Sequence, residues 1–123
     1  MARISIELES PYRETFEGVL SFSSFVEAER TIRQLQILCE NYRTAGDGKG
    51  VEYCRQIALL GRHRAELISR NKRVRMEKRL QKQEMANWFR VWLETPELFD
   101  DWLALRKSTE EFQRLSRCTE PRQ

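Results

Sequence analysis

Hydrophobic positions along this chain recur at two different periods, and the change of period marks out its elements. Near the start they alternate. Ile4, Ile6 and Leu8 fall on one side of an extended segment, with Arg3, Ser5, Glu7 and Glu9 on the other, which is the pattern of a half-buried strand. A second alternation, Phe16, Gly18, Leu20 and Phe22, follows the turn-prone Ser10-Pro11-Tyr12. Residues 1–22 therefore read as a strand or hairpin arm with its loop near residues 10–14, although Gly18 leaves the second strand without a side chain to pack. An isolated hairpin is marginal in water, so the arm must lay its apolar face on helices or extend a partner's sheet.

From residue 24 the period becomes helical. Ser24 and Glu27 stand in capping-box register, which predicts a helix beginning near residue 25. Its stripe, Phe25, Ala28, Ile32, Leu35, Cys39 and Tyr42, is spaced 3, 4, 3, 4, 3 and keeps one seam facing a neighbour. The cluster Gly46-Asp47-Gly48-Lys49-Gly50 ends this helix as a loop. It follows a helix rather than a strand and lacks the GxxxxGK[ST] frame, so it is not a phosphate cradle. A second helix, roughly Val51 to Arg70, repeats the spacing with smaller residues, Val51, Cys54, Ala58, Gly61, Ala65 and Ile68, widened by Tyr53, Ile57, Leu60 and Leu67. Together these predict an antiparallel αα-hairpin over residues 24–70.

In the third helical segment the apolar face changes direction. Val74, Met76 and Leu80 lie on one side of the cylinder, while Met85, Trp88, Phe89 and Trp92 lie far around it. Neither Gly nor Pro occurs between Lys72 and Thr95, so a single continuous helix is expected, contacting one neighbour early and another late. Thr95-Pro96-Glu97 then combines a stop with a restart, Thr95 as N-cap and Pro96 at the first helical position. The short helix that follows carries a stripe of Leu98 or Phe99, Trp102 and Leu105, and closes on Arg106 and Lys107. Ser108 and Glu111 repeat the capping-box spacing and open a last helix with Phe112 and Leu115, and residues 118–123 fray. The fold class is mainly α: an antiparallel helical hairpin plus a C-terminal cluster of shorter helices, with a short N-terminal β-strand or hairpin. All of it forms one domain, comprising the arm (1–22), the hairpin (24–70), and a basic helix with aromatic C-terminal helices (74–117).

Length and composition agree with one surface-charged helical domain: 123 residues, 33% of them charged, net charge +3. No run of 18 apolar residues occurs, and the N-terminal residues lack the apolar core of a secretory signal. The expectation is a cytoplasmic protein without a membrane partner. The net charge is unevenly spread. Between Arg62 and Lys82 nine basic residues face only Glu66 and Glu77, while the segments before and after carry more acid than base. Within this stretch Arg75, Lys78, Arg79 and Lys82 fall on one helical face. With Arg70, Lys72 and Arg73 they form the candidate partner- or phosphate-binding set, weighed against an ordinary solvated face.

Five aromatics, Trp88, Phe89, Trp92, Phe99 and Trp102, crowd the following segment. Core packing is their simplest role. Trp88, Trp92 and Trp102 are the candidate interface anchors should part of the cluster be exposed. The three cysteines, Cys39, Cys54 and Cys118, match neither a disulfide framework nor a zinc spacing and read as structural thiols, with a redox role as the lesser alternative. His63 is the only histidine, set between two arginines, and adjacent Asp100 and Asp101 point about 100° apart on a helix, so neither supplies an acid-base or metal pair. No catalytic or nucleotide motif is present. No enzyme activity, cofactor, metal or small-molecule substrate is expected. The expected function is that of a non-catalytic helical adaptor or accessory subunit that binds an anionic partner surface within a larger assembly, or self-associates. The alternative is a sequence-nonspecific nucleic-acid-binding protein using residues 70–82.

Overall fold

The computed structural model describes residues 8–17, 19 and 22–118. Among these every regular element is helical: α1 (Tyr12–Phe16), α2 (Phe25–Thr44), α3 (Gly48–Arg70), α4 (Met76–Glu94), a 3-10 turn (Pro96–Leu98), α5 (Phe99–Lys107) and α6 (Glu110–Cys118). The chain divides into two compact units, residues 1–61 and 62–123, and α3 runs from one into the other.

In the first unit, α2 begins where its capping box predicts. Ser24 Oγ accepts from the Glu27 amide at 3.2 Å. The Glu27 carboxylate reaches back one residue further than the motif requires, accepting from the Ser23 amide at 3.2 Å and the Ser23 hydroxyl at 2.9 Å. These bonds, from Ser23 first and Ser24 next, hold the Glu27 carboxyl below its ordinary range. Phe25, Ala28, Ile32 and Leu35 are buried, whereas Cys39 and Tyr42 at the far end of the stripe are half-buried.

The helix ends on Gly46, whose φ of 74° is the left-handed geometry that glycine tolerates. The next helix starts sooner than the glycine cluster implies. Asp47 Oδ1 accepts from the Gly50 amide at 3.1 Å, so Gly48–Gly50 is the first turn of α3 rather than loop. Gly50 also faces Tyr42: a Cβ added there would lie 2.4 Å from the ring carbon Cγ. Three residues back on α2 and four forward on α3, Cys39 neighbours Cys54. The ends of the two helices that flank the turn therefore run side by side.

Among the described residues of the second strand expected over Phe16 to Phe22, no strand is found, and residues 18, 20 and 21 lie outside them. Tyr12–Phe16 is the short helix α1, and Phe16 and Val19 are both buried, a pair that would fall on opposite faces of a strand. Local bonds close a helical turn where the loop was expected. The Arg13 amide donates to Glu9 O at 3.0 Å, Thr15 Oγ1 to Pro11 O at 3.2 Å and Ser10 Oγ to Glu14 at 2.7 Å, all spaced four residues apart as a helical turn requires. The Val19 carbonyl then accepts from buried Thr31 Oγ1 at 2.9 Å. The first expected strand lies almost wholly outside the described residues. Leu8 and Glu9, which are described, belong to neither helix nor strand.

In the second unit α4 is one continuous helix. From Gln81 onward it is buried on most of its circumference, including Met85, Trp88, Phe89 and Trp92. It meets the 3-10 turn, α5 and α6. Trp88 lies 5.8 Å from the Phe112 ring, and Gln81 Nε2 donates to Leu115 O at 3.3 Å.

Three details differ from expectation. The buried face of α5 is Phe99 and Leu103, while Leu98 and Leu105 are exposed. The tighter 3-10 winding of Pro96–Leu98 resets the helical phase before α5 begins. The Thr95 hydroxyl turns back to Val91 O at 3.2 Å instead of capping forward. Finally, α6 is capped by Thr109, whose Oγ1 accepts from the Phe112 amide at 3.1 Å, while the Ser108 hydroxyl donates to Leu105 O at 2.7 Å.

Candidate functional site

The basic cluster sits on the turn between α3 and α4. Asn71 organises it: the Asn71 amide donates to Ile68 O at 3.1 Å, the Val74 amide to Asn71 O at 3.1 Å and the Arg73 amide to Asn71 Oδ1 at 3.0 Å. An asparagine that bonds backbone two residues on is a common way to hold a short turn. The turn half-buries Val74 and leaves Arg70, Lys72, Arg73, Arg75 and Lys78 exposed. Glu66 lies 3.8 Å from Arg70, and Glu77 lies 3.7 Å from Arg75. Both separations exceed a hydrogen bond, and ion pairs of this kind in water are worth little.

Arg79 joins this surface only in part, and Lys82 does not join it. Arg79 is half-buried, with Nη2 against Met76 Sδ at 3.4 Å and Nε enclosed without a hydrogen-bond partner. Lys82 is 5% exposed. The cause is legible in the spacing: Lys78, Lys82, Met85 and Phe89 follow one another by 4, 3 and 4 residues and so share a face. That face is solvated in the first turn of α4 and interior from Gln81 onward. The stripe of cations thus runs into the core instead of along the surface.

The tryptophans follow the same logic. Trp88 and Trp92 are buried, at 0% and 5% exposure, so they are core residues and not surface anchors, and Trp102 is half-buried beside Phe99 at 6.3 Å. The exposed apolar side chains nearest in sequence to the basic turn are Leu67, Ile68 and Met76.

Two further clusters combine charge with burial or close contact. On α4 the buried Glu84 carboxylate accepts from Trp88 Nε1 at 3.0 Å and from Arg106 of α5 at 2.5 Å and 2.7 Å. Arg106 also lies 3.5 Å from Glu111. The Glu84 bond above all holds the Arg106 guanidinium charged, above its ordinary range. In the first unit Tyr12 donates to Asp47 at 2.6 Å, its ring meeting Tyr42 at 5.7 Å and Tyr53 at 4.9 Å, while Lys49 pairs with Glu9. Glu84 and Trp88 are four residues apart on a helix, a spacing visible in advance. Arg106 and Asp47 are brought in by tertiary structure, which no local pattern announces.

Among the described residues no group of three or more His, Cys, Asp or Glu is placed to hold a metal ion, and no helix is long and apolar enough to cross a membrane. No family model, curated protein or solved structure matches the chain.

Proposed function

We propose that the protein is a non-catalytic helical adaptor or accessory subunit whose α3–α4 turn docks on an acidic surface of a protein partner within a larger assembly. The observation that supports this reading is the exposure of Arg70, Lys72, Arg73, Arg75 and Lys78 on and beside one short turn, with Glu66 and Glu77, among the described residues, near Arg70 and Arg75 at distances beyond hydrogen bonding. Such a field accelerates encounter with a negative surface and disfavours positive ones. An acidic protein fits better than a nucleic acid for two reasons. Leu67, Ile68 and Met76 stand exposed in the same stretch, and apolar residues beside arginine characterise protein interfaces rather than phosphate contacts. Trp88 and Trp92, the aromatics that follow the basic turn in sequence, are buried, which removes them as platforms for stacking bases.

The test is to purify the assembly from its own cell through this chain and crosslink lysine amines to carboxylates. Links from Lys72 and Lys78 to one acidic segment of a co-purifying protein support the reading, as does loss of that protein when the five exposed cations become Gln. Crosslinks to RNA or DNA, or retention of the same partner by the five-fold variant, would replace it with the nucleic-acid alternative or with a different surface.

A further inference from the structure

We propose that Cys39 and Cys54 form a peroxide-responsive pair that closes to a disulfide between α2 and α3. The two residues stand on the helices flanking the 45–47 turn. Their register is set by the contact one turn away, where Gly50 lies so close to Tyr42 that a Cβ would fall 2.4 Å from the ring. A disulfide requires Cα atoms nearer than about 7 Å, and ordinary helix pairs run 8–10 Å apart. A glycine contact in the adjacent layer narrows that gap. The thiols are in turn each other's neighbours.

Their surroundings assign them different roles. Cys39 is half-buried and within reach of a small oxidant, and Arg43 Nη2 donates to its sulfur at 3.8 Å. A cation beside the sulfur stabilises the negative charge that develops as a peroxide oxygen leaves. Cys54 is 0% exposed, and burial above all pushes its thiol up to about 12, so it is the slower of the two to react directly.

The chemistry closes on hydrogen peroxide alone. The Cys39 sulfur attacks one peroxide oxygen: an S–O bond forms, the O–O bond breaks, and hydroxide leaves and takes up the thiol proton as water. Sulfur has then lost two electrons, as the sulfenic acid. The Cys54 sulfur next attacks Cys39: the S–S bond forms, the S–O bond breaks, and the departing hydroxide collects the Cys54 proton as a second water. Two thiols and one peroxide become one disulfide and two waters.

The test uses the reduced 123-residue chain treated with hydrogen peroxide, digested without reductant and mapped by mass spectrometry. The expected product is the Cys39 peptide joined to the Cys54 peptide, two hydrogen atoms lighter than their sum, in a monomer, with Cys118 still open to alkylation. Dithiothreitol should restore both thiols. In Cys54→Ala the oxidised Cys39 has no partner and should accumulate as a dimedone adduct. If that variant does not fold, the wild-type map decides by itself. Cys39 carried on to the sulfinic acid with Cys54 still free after unfolding, a linkage through Cys118, or an untouched Cys39 would each overturn the proposal.

Discussion

Arg106 on α5 grips Glu84 on α4 at two points, Nε to Oε2 at 2.5 Å and Nη2 to Oε1 at 2.7 Å, while Trp88 Nε1 donates to the same carboxylate at 3.0 Å. The Glu84 side chain is only 3% exposed. Its charge is tolerated there because both oxygens are engaged, one of them twice. Removing the arginine strands a buried carboxylate, so Arg106→Ala should cost about 3–5 kcal/mol in urea unfolding. Glu84→Gln should cost less, because a neutral amide oxygen still accepts from Trp88. Combined with Arg106→Met, it should recover much of the loss, since replacing a buried pair outright is often close to neutral. Losses in the double variant equal to the sum of those in Arg106→Met alone and Glu84→Gln alone would show that the two groups are not coupled.

The three glycines of the α2–α3 turn should respond to alanine with different signs. Gly46→Ala forces a Cβ into a left-handed backbone with φ of 74° and should destabilise by about 1–2 kcal/mol. Gly50→Ala drives a methyl to within 2.4–2.7 Å of Tyr42 ring atoms close to that ring's point of attachment, which cannot swing aside freely, and should cost about 1–3 kcal/mol. Gly48→Ala meets nothing within 4 Å inside the first turn of α3 and should stabilise by roughly 0.5–1 kcal/mol. Thermal unfolding of the three variants checks the ranking. A destabilised Gly48→Ala would mean that the turn is not built as described.

Much of the helical layout was legible in the sequence, and the exceptions share a cause. The 3, 4, 3 spacing of Phe25, Ala28, Ile32 and Leu35 marks a face that is indeed buried, because period is a property of the helix itself. The absence of Gly and Pro after Lys72 likewise predicts the unbroken α4. What misled was hydrophobic alternation without its context. Phe16, Leu20 and Phe22 satisfy a period of two, yet a serine, a proline and a glutamate just upstream offer the backbone a helical turn that closes four residues at a time.

The candidate site was legible in composition and only partly in placement. Charge counting locates the basic segment, but a helical wheel treats every turn as equally wet. Lys78 and Lys82 share a face, and their difference arises only from where the neighbouring helices begin to cover α4. Arg106 and Glu84 stand far apart in sequence, and nothing in either neighbourhood names the other.

Tyr12 gives the first unit a spectroscopic signature. Its hydrogen bond to Asp47, the largest of several causes, raises the phenol from the ordinary 10.0 to about 12, and the same bond first of all lowers the Asp47 carboxyl below 3.8. The raised phenol contributes stability that is complete below pH 10 and fades as pH climbs through about 12. The lowered carboxyl contributes stability that is complete above pH 3.8 and fades as pH falls through its folded value. Tyr12 should therefore ionise late in a near-ultraviolet phenolate titration, and Asp47→Ala should return it toward 10.0. Tyr12→Phe should abolish the late step and flatten unfolding at both ends of the pH range. A phenolate titration of the folded chain that Tyr12→Phe leaves unchanged at its alkaline end would contradict the Tyr12–Asp47 bond.

Lys78 and Lys82 provide the sharpest separation of surface from core, because they lie one turn apart on α4 with opposite surroundings. Lys78 is exposed and stands before the helix is covered, so Lys78→Gln should leave stability within about 0.5 kcal/mol of the parent while weakening retention on an anionic matrix such as heparin and reducing its dependence on salt. Lys82 is 5% exposed on the face that continues into Met85 and Phe89. Its ammonium is held inside, and Lys82→Gln disturbs that enclosure. A loss of about 1–3 kcal/mol is expected, with heparin retention of the surviving folded protein nearly unchanged. Urea unfolding and salt-gradient elution, run on both variants, read the two effects independently. If Lys82→Gln weakened retention as strongly as Lys78→Gln without loss of stability, Lys82 would belong to the binding surface, and the cations would extend along the helix as its wheel alone implies.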